Sequence, residues 1–200
     1  MLKRTLDVTA CLGGLIILSP VLIVISTLIV IDSGFPVLFK QERVGRAFRA
    51  FHIFKFRTMR SGNSGSLVTV RGDPRVTPVG RILRSTKLDE LPQFWNVLVG
   101  DMSLVGPRPE VPKYVSLYVE RYRKVLSVRP GITDLASIRF RNEEQVLATD
   151  SNPHRCYIES VLPAKLDLAE EYVRTRNFWL DLRILLATAV SVLSCFRHFQ

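Results

Sequence analysis

Two hundred residues suit one domain with a modest core, and the chain has no internal repeat, which excludes solenoids and propellers. The formal net charge of +10 is uneven: residues 1–60 hold nine basic and three acidic side chains, so that end faces something anionic. Three scattered cysteines, Cys11, Cys156 and Cys195, lack paired spacing, which argues against a disulfide framework or a zinc site and for a reducing setting.

From Val8 to Ile31 the chain runs 24 residues without a charge. At about 1.5 Å per residue, that is enough to cross a hydrocarbon core of roughly 30 Å. Ser19-Pro20 stands at its middle, with 11 residues in each arm. Proline removes a backbone donor and crowds the carbonyl four residues earlier, and the Ser19 hydroxyl is placed to bond a freed carbonyl. Two topologies fit: a helix that spans the bilayer, placing Lys3 outside, or one that enters, bends at Ser19-Pro20 and returns. Lys3 and Arg4 before the run, and Lys40, Arg43, Arg46 and Arg49 after it, make both flanks basic. The positive-inside rule then favours two cytoplasmic ends. A cleaved signal peptide fits poorly, because the apolar stretch is long and no small-residue cleavage site closes it.

After Gly34-Phe35-Pro36, the segments Val37 to Val44 and Phe48 to Arg57, joined at Gly45-Arg46, predict a β-hairpin. Its second strand interleaves Phe51, Phe54 and Phe56 with Arg49, His52, Lys55 and Arg57. Such a strand either stacks single-stranded nucleic acid or has one buried and one wet face. The greasy segment beside these basic residues favours lipid and phosphorylated substrates, with no nucleic-acid partner. Ser61 to Ser66 reads as a flexible loop, either plain surface or a mobile active-site cover.

Thr77-Pro78 is an N-cap followed by proline at the first helical position, predicting a short helix to about Arg84. Leu88 to Val99 is a second helical pattern, stopped by Gly100. Gly106-Pro107-Arg108-Pro109 must be a stiff loop. Helices are expected at about Val111 to Val125, Asn142 to Ala148, Pro163 to Thr175 and Phe178 to Phe196. The apolar Ile184 to Phe196 is 13 residues, too short to span, and reads as a core or interfacial helix with Arg197 and His198 at headgroup level. The fold class is α+β and mainly helical.

Asp89 and Glu90 are adjacent near a helix start, with Pro92 close behind. Neighbouring carboxylates on a helix point apart, so they suit two separate jobs, nucleophile on one side and metal or proton handling on the other. The bland reading is an exposed acidic first turn that favours the helix dipole. Phosphate-binding residue types crowd the same region: Lys55, Arg57, Arg75, Arg81, Arg84, Lys87, Arg108, Arg129 and Arg141. Arg108 and Arg129 stand beside rigid prolines. P-loop, dinucleotide and serine-hydrolase motifs are absent, and His52, His154 and His198 form no sequence cluster.

Lys55-Phe56-Arg57-Thr58-Met59, Leu88-Asp89-Glu90-Leu91-Pro92-Gln93, Gly100-Asp101-Met102-Ser103-Leu104-Val105-Gly106-Pro107-Arg108-Pro109 and Arg129-Pro130-Gly131-Ile132-Thr133 together resemble the bacterial sugar transferases called monotopic phosphoglycosyl transferases. The blocks keep the family's order and spacing over nearly the whole chain. The resemblance implies a re-entrant membrane helix over residues 1–34, bent at Ser19-Pro20, and a catalytic domain over residues 35–200 with interfacial amphipathic helices. It places that domain on the cytoplasmic face of the bacterial inner membrane, against the phospholipid bilayer.

It also implies a ping-pong reaction in which Asp89 attacks the β-phosphorus of a UDP-sugar, UMP leaves, and undecaprenyl phosphate takes the sugar phosphate. This is the first membrane step of glycoconjugate biosynthesis. Asp89 and Glu90 are the implied Mg²⁺ ligands, and Lys55, Arg57, Arg84, Arg108, Arg129 and Arg141 the expected phosphate or loop contacts. A homodimer and downstream glycosyltransferases are compatible partners. One departure stands out: where the family often reads Gly-Trp-Ala-Gln-Val-Asn-Gly-Arg, this chain has Asp134 to Arg141. The sugar therefore stays open.

Overall fold

The computed structural model describes residues 2–60 and 68–196, with side chains to residue 192. The loop expected at Ser61 to Ser66, and Arg197 and His198, lie outside the described residues.

The apolar run forms one helix, α1 (Leu2–Ser33), continuous through Pro20. Proline leaves the carbonyl of Ile16 without its amide donor, and the Ser19 hydroxyl donates to that carbonyl at 2.8 Å, as expected from sequence. The hairpin follows as β1 (Leu38–Val44) and β2 (Ala50–Phe56), antiparallel, with Gln41 opposite Ile53.

Helix α2 (Pro78–Thr86) starts as predicted, with the Thr77 hydroxyl accepting from the Gly80 amide. The pattern from Leu88 to Val99 divides at Pro92 into a 3₁₀ turn (Leu88–Glu90) and α3 (Gln93–Val99), because proline cannot donate inside a continuous helix. Gly100 ends α3 in the left-handed region at φ 97°.

Strand β3 (Ser103–Val105) pairs in parallel with β4 (Gly131–Thr133), a contact the sequence reading did not contain. Between them the expected helix over Val111 to Val125 splits into α4 (Pro112–Val115) and α5 (Val119–Val125). Then come α6 (Leu135–Arg139), α7 (Glu143–Ala148), α8 (Pro153–Cys156), a π turn (Tyr157–Val161), α9 (Leu162–Thr175) and α10 (Phe178–Phe196). Among the described residues the body is mainly helical, with two small sheets.

Three apolar clusters hold these elements, each buried side chain contributing about 1.5–3 kcal/mol. Tyr114, Tyr122, Leu147, Tyr157, Leu162 and Leu166 join α4, α5, α7 and α9. Cys11, Phe51, Ile53, Val97, Met102 and Ile184 join α1, β2, α3 and α10. Ile25 and Ile29 of α1 meet Phe56 and Leu83. Both arms of α1 therefore pack on the same body, while Ile16, Ile17, Val21, Ile23 and Val24 around Pro20 are exposed.

Polar contacts repeat that pattern. Near the start of α1, Lys3 donates to the Val105 carbonyl at 2.8 Å, Arg4 caps α3 through the carbonyls of Val97 and Leu98, and Asp7 accepts from Ser103 Oγ at 2.7 Å. At its far end, Asp32 accepts from the Val79 amide of α2.

Asn96 fixes the outer edge of β2. Its Oδ1 accepts from the Phe54 amide at 3.1 Å and its Nδ2 donates to the His52 carbonyl at 2.7 Å. The side chain is fully buried. Asn96→Ala leaves that amide and carbonyl unpaired and is expected to cost about 2 kcal/mol, read as a lower melting midpoint of the full chain in detergent. An unchanged midpoint would contradict this tie.

Candidate active site

Four segments bring charge together. Along β2 the inward parity of Phe51 and Ile53 continues to Lys55, so its ammonium is carried to the interior side. There it meets Glu90 Oε1 at 2.8 Å. Glu90 and Asp89 lie on the 3₁₀ turn, launched by Lys87 in the left-handed region at φ 59°, a conformation that costs a non-glycine residue about 1 kcal/mol or more. The loop after β3 supplies Arg108, whose guanidinium forks onto Glu90 through Nη1 at 3.3 Å and through Nη2. The residue after β4 is Asp134, whose Oδ2 accepts from the Arg108 amide at 3.0 Å while Oδ1 accepts from the amide and hydroxyl of Ser137.

The loop itself is pinned to β4. Gly131 N donates to the Pro107 carbonyl and Gly106 N to the Thr133 carbonyl. A Cβ on Gly131 would lie 2.1 Å from Gly106 N, so glycine is required where the two backbones meet.

Asp89 and Glu90 are only 7% and 8% exposed, which removes the reading of a solvated acidic first turn. Their surroundings drive them apart. Burial raises the Asp89 carboxyl above the ordinary aspartate value, against the pull of Lys55, Lys87 and Arg84. Burial opposes the Glu90 charge too, yet Arg108 and Lys55 hold it well below the ordinary glutamate value. Burial lowers Lys55, partly offset by Glu90, and Glu90 raises Arg108. Two neighbouring carboxylates are thus held in different electrostatic states. Glu90 is a fixed anion in an ion-pair triad.

Asp89 Oδ1 is buried and makes no hydrogen bond among the described residues. A buried carboxylate oxygen without a donor is costly unless a ligand completes it, and its lone pairs are free to meet an electrophile or a cation. Among the described residues no three metal-ligating side chains cluster. Mg²⁺ commonly takes one or two carboxylates and fills the rest of its octahedron with water and substrate phosphate, so Asp89 fits it. Glu90 fits less directly, since Lys55 and Arg108 already occupy its oxygens.

The other expected site residues go elsewhere. Arg84 pairs with Glu144 but acts on Asp89 through space. Arg57 is buried at the end of α1, donating to the carbonyls of Ser33, Gly34 and Phe35. Arg141 donates to Ser191 Oγ at 2.8 Å. Arg129 donates to the Gly100 carbonyl at 2.9 Å; it precedes β4, whereas Arg108 and Asp134 follow β3 and β4. The Arg129 guanidinium reaches the Gly100 carbonyl, whereas that of Arg108 reaches Glu90. In the sequence Asp134 stands out only as a departure from the family pattern; its N-cap position before α6 is the signal it carries.

A model of the bacterial sugar transferase family matches residues 1–195. A UDP-N-acetylgalactosamine-undecaprenyl-phosphate N-acetylgalactosaminephosphotransferase of Aeromonas hydrophila is 37% identical over 98% of this chain and 44% of its own length. An undecaprenyl-phosphate glucose phosphotransferase of Komagataeibacter xylinus is 40% identical over 93% of this chain and 35% of its own. The exopolysaccharide production protein PSS of Rhizobium leguminosarum bv. phaseoli is 38% identical over 97% of this chain and 96% of its own. The chain thus spans less than half of the first two relatives and nearly all of the third. With that match over residues 1–195 and these relatives along almost its whole length, the chain belongs to the bacterial sugar transferase family.

Proposed function

We propose that the chain transfers a sugar-1-phosphate from a UDP-sugar to undecaprenyl phosphate, through a phosphosugar carried on Asp89. The observation that carries this is Asp89 Oδ1, buried, without a hydrogen-bond partner among the described residues and within the electrostatic reach of Lys55. In the first half-reaction that oxygen forms a bond to the β-phosphorus, and the bond from β-phosphorus to the bridging oxygen breaks. UMP leaves with the electron pair. In the second, an oxygen of the lipid phosphate bonds to the same phosphorus and the Asp89 carboxylate is released, giving a polyprenyl-diphosphate sugar.

A carboxylate attacking a diphosphate meets charge repulsion, so fixed cations are needed where negative charge gathers. Lys55 and Arg108, both held by Glu90, are the cations that would serve, and the Arg108 side chain stays 34% exposed. Mg²⁺, when bound at Asp89 with Glu90 alongside, supplies further charge neutralisation of the diphosphate. The named activities of the relatives support the donor and acceptor classes.

The membrane placement follows from α1. Its two arms lie on one body and its exposed apolar turn surrounds Pro20, which favours a helix that enters and leaves on one face. Basic flanks favour the cytoplasmic side for that face, in keeping with an enzyme of the inner membrane. The acidic pair then works near headgroup depth, where the acceptor phosphate lies.

The test uses the full chain in nonionic detergent with undecaprenyl phosphate, Mg²⁺ and a panel of UDP-glucose, UDP-galactose and UDP-N-acetylgalactosamine. UMP is the expected nucleotide product, and EDTA is expected to stop its release. UDP as the product would sink the reading, because it means that the sugar moved without its phosphate.

A further inference from the structure

A second cleft, about 460 Å³ in volume, lies between the starts of α1 and α10 and the Ser127–Arg129 segment. None of Lys55, Asp89, Glu90 and Arg108 lines it. Five basic side chains do: Lys3, Arg4, Arg46, Arg129 and Arg176. Two acidic side chains share the wall, and both are already engaged. Asp7 accepts from Ser103 Oγ and the Leu104 amide, and Asp181 accepts from Lys3 and from the Tyr172 hydroxyl at 2.7 Å.

Arg4 and Arg129 donate to main-chain carbonyls. Arg46 and Arg176 are exposed, and among the described residues neither pairs with a carboxylate. A concave wall with surplus arginine concentrates positive potential, and guanidinium forks match phosphate oxygens. The cleft also opens where apolar surface begins. Leu2 and Phe178 line it, and Leu2 and Trp179, whose ring meets that of Phe178, are each 69% exposed. A phosphate with acyl chains attached would satisfy both halves of this surface, with tryptophan at interface depth.

We propose that this cleft binds the phosphate headgroup of an anionic phospholipid, apart from the acidic pair and independently of the reaction at Asp89. The bound lipid fastens the start of α1 to α10 and so fixes the depth at which the body rides on the bilayer.

The full chain, exchanged into nonionic detergent, is offered equimolar phosphatidylglycerol and phosphatidylcholine, and lipid retained per chain is counted by native mass spectrometry. Phosphatidylglycerol is expected to be kept over phosphatidylcholine by about tenfold. Arg46→Ala with Arg176→Ala should reduce that preference toward parity, and Arg46→Lys with Arg176→Lys should keep part of it. Equal retention of the two lipids by the unaltered protein overturns the proposal without any variant. Full preference in the double alanine variant overturns the location. Displacement of the lipid by inorganic phosphate at equal concentration overturns the lipid as ligand and leaves a free-anion site.

Discussion

Asp89→Asn is expected to slow UMP release by a factor of about 10⁴ to 10⁶, the usual range for removing a nucleophile, while raising the melting temperature. The two effects have one cause. Asparagine keeps the shape but supplies no anionic oxygen to bond phosphorus. It also removes a carboxylate whose charge is disfavoured by burial.

The pH dependence follows in sign. Because folding raises the Asp89 value, the folded protein holds more protons than the unfolded chain between the ordinary value of 3.8 and the raised one, so stability falls as pH rises through that window. The Asp89→Asn variant has no such loss. The gap in melting temperature between variant and parent should therefore be present at neutral pH and close as pH falls below 3.8. The comparison is made without substrate and with EDTA present, so that no ligand adds stability. A variant that melts lower than the parent at neutral pH would contradict the buried, unsatisfied carboxylate. Retained UMP release would contradict its role.

Arg108→Ala is expected to cost about 2 kcal/mol in stability and about 10²- to 10³-fold in turnover. Removing the guanidinium leaves Glu90 buried with Lys55 as its remaining cationic partner. The stability figure is held below that of a fully buried pair because solvent screens the exposed third of Arg108. Arg108→Lys should recover stability better than turnover, since an ammonium keeps the charge and loses the fork. Equal recovery of both would mean that Arg108 serves the fold and not the diphosphate.

The contrast between Arg108 and Arg129 measures how far the sequence could be read. Both stand beside prolines in rigid loops, and both are phosphate-binding types. Residue type and local stiffness cannot separate them. What separates them is their partners, Glu90 for Arg108 and the Gly100 carbonyl for Arg129, set around β3 and β4, strands of three residues each, too short to carry a period in the sequence. Arg57 is likewise a phosphate-binding type within a family block, and its partners are main-chain carbonyls at the end of α1, which no pattern along the chain announces.

Local signals did better. Thr77-Pro78, Gly100, the hairpin and the bounds of α10 follow from capping, left-handed turns and alternation, which act within a few residues. The Ser19 bond to Ile16 is of the same local kind. The single helix expected over Val111 to Val125 failed because tertiary packing of Tyr114 and Tyr122 into one cluster outweighed helical continuity through Ser116 to Tyr118. Long-range ties such as Lys3 to Asp181 and Asp7 to Ser103 needed the fold.

The acidic pair is the central case. Adjacent carboxylates carry little meaning in a sequence, and the resemblance supplied the division of labour. The structure shows different surroundings for the two: Glu90 is paired with two cations, and among the described residues Asp89 Oδ1 has no hydrogen-bond partner.

The most direct measurement mixes the full chain with a UDP-sugar and Mg²⁺ in the absence of undecaprenyl phosphate, quenches, and maps peptides by mass. One sugar phosphate is expected on the peptide containing Asp89, lost when undecaprenyl phosphate is added and never formed by Asp89→Asn. Label on another residue, or continued UMP release and lipid product from Asp89→Asn, would contradict a phosphosugar carried on Asp89.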